Sequence, residues 1–114
     1  KNTSIFSYGM RIRLPDHLKD DPLVNAVATV ADYIGRFEVA AWLEGACKGN
    51  PNIGKPGIGR FDMANLAAES ALEDRAFTGA MDVLVAHSSD PTINGILGRV
   101  YSLVPKVQEH YQKP

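Results

Sequence analysis

A single cysteine, Cys47, leaves no partner for a disulfide within the chain, which fits a reducing compartment and removes covalent cross-links from the stability argument. No apolar run approaches the ~20 residues that a membrane-spanning helix needs, so no membrane role is expected. The first ten residues, Lys1 to Met10, lack the apolar stretch of a secretory signal. The sequence does not begin with Met, so a leader removed ahead of Lys1 stays open, and cytoplasmic residence is the expectation. Charge of one sign is also missing. A net −1 over 114 residues argues against a domain whose main task is coating nucleic acid, although it allows a local basic patch. There is no internal repeat and no low-complexity tract. With 45% hydrophobic and 22% charged residues, the chain can bury one ordinary core and is expected to form one domain, residues 1–114.

What is present is mostly helical punctuation. Asp21-Pro22 and Asp90-Pro91 each join an N-capping carboxylate to a proline at the first helical position. After the first of these, Leu23, Val27, Val30, Ile34, Phe37 and Ala41 recur at spacings of three and four, opposite Asn25, Thr29, Asp32 and Arg36. A second apolar set (Val24, Ala28, Ala31, Val39, Trp42 and Leu43) widens the stripe. This helix is expected to reach about Ala46, with a bend at Gly35, and to lie centrally. Asp62 would cap an alanine-rich second helix over roughly 63–76. Thr78 would cap a third over about 79–88, with Met81, Leu84 and Val85 inward. The last helix opens at Pro91 and carries Ile93, Ile96, Leu97, Val100, Val104, Val107 and Tyr111. Pro105 removes a backbone donor inside that pattern, so a kink or break is expected near Leu103.

Ahead of the helices, Phe6, Tyr8, Met10, Ile12 and Leu14 alternate with polar residues or glycine, the period of a strand or extended arm over residues 1–15. A lone strand needs a partner for its backbone groups. Either the 53–61 stretch or the same strand of a second copy would serve. The expected fold class is therefore mainly α: a four-helix bundle-like domain with a short N-terminal strand or arm.

The most unusual local feature is a glycine- and proline-rich basic loop over residues 48–61. Gly49-Asn50-Pro51-Asn52-Ile53-Gly54-Lys55 has the G-x-x-x-x-G-K spacing and resembles, as a string, the phosphate-binding motif of small GTPases. The chemistry fails at the next residue. Pro56 has neither the hydroxyl that holds Mg²⁺ nor a backbone N–H, and a helix rather than a strand precedes the loop. The physical content is a type II turn at Lys55-Pro56-Gly57-Ile58, which presents Lys48, Lys55 and Arg60.

Catalytic signatures are not found. His17, His87 and His110 lack metal-ligand spacing, and no G-x-S-x-G occurs. Neither a cofactor nor a metal is expected. The acidic group Glu69, Glu73 and Asp74 reads as a solvated helix face, with Arg75 and Arg99 placed to offset it. Trp42, Phe61, Phe77 and Tyr101 read as core. Gly95 and Gly98 lie one turn apart inside the last helix, where each costs about 1 kcal/mol relative to alanine, so a close neighbour is expected over them: another helix or a second subunit.

The leading functional expectation is a non-enzymatic interaction module, an inhibitor, adaptor or regulator that binds another protein and self-associates. Its contact residues are Lys48, Lys55 and Arg60, with Tyr8, Arg11 and Arg13 on the strand edge. The self-association surface is the N-terminal strand or the Gly95/Gly98 face. The alternative is nucleic-acid or phosphate binding through the basic loop. A third class is an enzyme built around His87 or Cys47.

Overall fold

A computed structural model of the chain describes residues 14–47 and 63–112. Among these, five helices follow in order: α1 (Pro22–Cys47), α2 (Met63–Leu72), α3 (Arg75–Ala86), α4 (Pro91–Leu103) and α5 (Pro105–Tyr111). The class is mainly α, as the periodicity implies. The expected strand lies outside the described residues apart from Leu14, which with Pro15 belongs to no strand. The basic loop also lies outside them.

Both Asp-Pro starts form as their chemistry requires. Asp21 Oδ1 accepts the backbone N–H groups of Leu23 at 2.9 Å and Val24 at 3.0 Å. Asp90 Oδ1 accepts those of Thr92 at 2.8 Å and Ile93 at 3.3 Å. Each carboxylate thus satisfies donors that a helix start leaves unpaired. Asp90→Ala is expected to lower the unfolding free energy by about 1 kcal/mol, seen as a lower urea midpoint with an unchanged slope.

α1 runs unbroken through Gly35 and packs against α2, α3 and α4, the central place its two apolar sets imply. Its buried line is Ala26, Val30, Tyr33, Phe37 and Ala40. The expected stripe is therefore displaced by about one residue, with Leu23, Val27 and Ile34 packed along its side. Three neighbours draw the centre of burial to the side of the first set that faces away from the second. Trp42 is a correction: it is 70% exposed rather than core. At about 100° per residue, nine positions turn it about 180° from Tyr33, so it points away from the bundle.

The boundary between α2 and α3 is another correction. The alanine-rich pattern suggests helix to Ala76 and a cap at Thr78. Instead α2 stops at Leu72, and Glu73 N–H and Asp74 N–H bond back three residues to the carbonyls of Ser70 (3.2 Å) and Ala71 (3.0 Å). Asp74 Oδ1 then accepts Ala76 N–H at 2.9 Å and starts α3 one turn early. A carboxylate is a better cap than the threonine, and the early start brings Phe77 into the core. Ala68 and Ala71 are the buried face of α2; their small side chains permit its close approach to α1. His87 caps the C-terminus of α3 through its backbone N–H.

The last pattern forms two helices. Pro105 has no N–H to give the preceding turn, the chain breaks at Val104, and Pro105 becomes the first residue of α5. Val104 and Val107 nonetheless remain buried, so the apolar stripe survives the break. The buried side chains of all five helices form one cluster. At its α1–α3 seam the rings of Tyr33, Phe37 and Phe77 meet, with centroids 4.8 Å apart for Tyr33–Phe77 and 5.8 Å, edge to face, for Phe37–Phe77. No helix of the described residues is long and apolar enough to cross a membrane.

Candidate functional site

The six contact residues read from the sequence, Tyr8, Arg11, Arg13, Lys48, Lys55 and Arg60, all lie outside the described residues. What the structure defines is the frame that holds the 48–62 segment. Glu44, near the end of α1, accepts the backbone N–H of Ala64 through Oε1 at 3.1 Å. This carboxylate serves the first turn of α2 from another helix, where the positive end of the helix dipole also favours it. The two ends of the basic segment are thereby tied to one end of the bundle. Close to those ends in sequence are the two large apolar side chains left most open among the described residues: Trp42, and Leu66 at 59% exposure. Periodicity alone gave no warning of either, because both occupy positions that repeat in register with apolar neighbours.

A second grouping lies where α1 meets the start of α3. The Tyr33 hydroxyl donates to Asp74, the Arg36 guanidinium lies 4.3 Å from the centre of the Tyr33 ring, and Arg36 Nη2 reaches Asp32 Oδ2 at 3.3 Å. Burial, and then the bond to Asp74, raise the Tyr33 pKa; Arg36 acts weakly the other way. The Asp74 carboxyl is held below its usual value first by the Tyr33 hydroxyl and then by Ala76 N–H. The arrangement is suited to locking α1 onto α3. The acidic face read from the sequence is correspondingly divided: Asp74 is a cap, and Glu69 pairs with Lys106 at 2.7 Å. Arg99 pairs with Glu38 across the α1–α4 seam and not with that acidic group.

The third feature is a cleft of about 450 Å³ bounded by the end of α3, one face of α4 and α5. Leu97 and Tyr101 form its buried floor, Tyr111 forms one wall, and Gly98 lies on the α4 side. The Tyr111 hydroxyl is buried and has no hydrogen-bond partner. Burial, the negative charge of Asp82 and then Tyr101 push its pKa up to about 12.

The expectation of a helix packed over the two glycines is corrected here. A Cβ placed on Gly95 or on Gly98 would meet no atom within 4 Å, so among the described residues no helix packs closely over either. The histidines are dispersed: His17 is exposed in the 16–20 turn, exposed His87 sets Nδ1 2.8 Å from the Val83 carbonyl oxygen, and His110 lies edge-on to Tyr111. Among the described residues no three His, Cys, Asp or Glu side chains gather as metal ligands. Compared with family models, curated proteins and solved structures, the chain matches none.

Proposed function

We propose that the chain is a non-enzymatic interaction module that binds another protein through the end of the bundle where α1 stops and α2 begins. The observation that carries this reading is Trp42, 70% exposed on a helix whose opposite face is core. Tryptophan and arginine are the residue types most concentrated among the few side chains that dominate interface energies. The same end supplies both near each other in the chain: Trp42 and Leu66 flank a segment carrying Lys48, Lys55 and Arg60. An apolar anchor with a basic surround fits a partner surface that offers a hydrophobic pocket rimmed by carboxylates. Self-association belongs to the same reading, through the N-terminal residues or the open Gly95/Gly98 face of α4.

Affinity capture from native lysate tests it, with Trp42→Ala and Lys55→Glu beside the wild type. One discrete protein retained by the wild type and depleted at least tenfold by each variant is the expected result. Equal retention by all three overturns the assignment to this surface. Retention abolished by nuclease would move the reading to nucleic-acid binding through the basic loop. Sedimentation at rising concentration checks self-association separately; a monomer throughout would remove that part.

A further inference from the structure

We propose that the cleft between the end of α3, α4 and α5 binds an uncharged, nucleoside-sized ring compound. Three independent observations converge there. The volume, about 450 Å³, falls within the ~300–1,000 Å³ typical of small-molecule sites. The lining then divides as such sites do, with a buried apolar floor of Leu97 and Tyr101 and an exposed rim of amides and hydroxyls, including Asn94, Ser102 and Gln108. Tyr111, packed against the core from α5, closes one wall of the cleft.

Gly98 supplies the third. Glycine inside a helix is unfavourable, and close packing ordinarily explains its presence. Here a Cβ would point into open space, and that space is the cleft. A glycine at this position keeps the α4 wall flat against whatever enters.

The lining also selects the class of ligand. Among the described residues no Asp, Glu, Lys, Arg or His side chain lines the cleft, so these walls offer an ionised group no compensation for its lost hydration. Asp82 acts on Tyr111 with a negative charge, which disfavours anions further. Primary amides pair with adjacent donor and acceptor positions on the edge of a heterocyclic base, and tyrosine rings offer faces and edges against which such a ring packs. On α4 the facing residues Asn94, Leu97, Gly98, Tyr101 and Ser102 recur at spacings of three and four, so they present one continuous strip to a flat ligand. A nucleoside fits these demands, and a nucleotide, with its phosphate, does not.

Adenosine titrated into the ¹⁵N-labelled chain to millimolar concentration is the test, with AMP as the charged control. Saturable shifts confined to residues 85–112 are expected, with AMP at least tenfold weaker. Gly98→Leu fills the cleft and is expected to weaken binding more than tenfold while the melting temperature is unchanged or higher. Should that variant fail to fold, Ser102→Phe on the exposed rim obstructs the same space. Shifts absent from these residues, AMP as strong as adenosine, or full binding by the filled-cleft variant would each overturn the proposal.

Discussion

Phe77→Ala is expected to lower the unfolding free energy by about 3–5 kcal/mol, the range for deleting a fully buried phenylalanine. Phe77 has no exposed surface and sits between the rings of Tyr33 and Phe37, so it joins α1 to α3 at the centre of the cluster. The cost reaches this level because the hole cannot close easily. Tyr33 is tethered by its hydroxyl to Asp74 and covered by Arg36, and Phe37 is fixed by its own burial. Losing the edge-to-face pairing adds ~0.5–1.5 kcal/mol beyond the area term. Domains of this size have only ~5–15 kcal/mol in total, so the variant should unfold at a much lower urea concentration and lose much of its near-ultraviolet circular dichroism. Phe77→Leu, which keeps most of the volume, should cost less than half as much. Equal losses for the two would show that the aromatic geometry, and not the filled volume, carries the whole effect.

The same seam shows how sequence information is divided in this chain. Helix starts were legible where a single side chain does the work. Asp21-Pro22 and Asp90-Pro91 form caps, and the Pro105 break lies within one residue of its expected place. The Asp74 cap was hidden because alanines on both sides continue a helical pattern, although the burial of Phe77 itself was legible. Tyr33 falls outside both apolar sets read along α1, and its burial depends on Asp74, distant in sequence, which accepts its hydroxyl. Hydrophobicity places Trp42 in the core but cannot report that, among the described residues, no helix covers its side of α1. The cleft left one trace, Gly98, but the trace pointed to close packing. Open space and close packing both call for a missing side chain, and three-dimensional contacts are needed to separate them. The expected contact residues, Tyr8, Arg11, Arg13, Lys48, Lys55 and Arg60, lie outside the described residues, so the fold bears on them only through the positions of Leu14, Cys47 and Met63.

Val107→Asp is expected to release α5 while α1 to α4 remain folded. A seven-residue helix is far too short to persist in water by itself. Its attachment rests on Val104 and Val107, both essentially fully buried, and on the Lys106–Glu69 pair. That pair is at the surface, where such bonds contribute ~1 kcal/mol or less, so Val107 decides. A carboxylate forced into its place would lose several kcal/mol of hydration with no cation to receive it. Swinging α5 into water avoids that cost and gives up only its own contacts. Hydrogen exchange should therefore show protection lost at residues 105–112 and largely kept in α1 and α3.

Tyr111 supplies an independent readout of the same event. Its pKa, raised to about 12 when α5 is docked, should return toward 10 once the hydroxyl is hydrated. The docked state binds this proton more tightly than the released state, so its contribution to docking is fully present below pH 10 and is lost as pH rises toward 12. Wild-type protein taken through that window should consequently lose protection in α5 before the rest of the bundle, as Val107→Asp does at neutral pH. Uniform loss across α1 to α4 in the variant would instead show that α5 and the core unfold as one cooperative unit. In that case the wall of the cleft could not open without unfolding the protein.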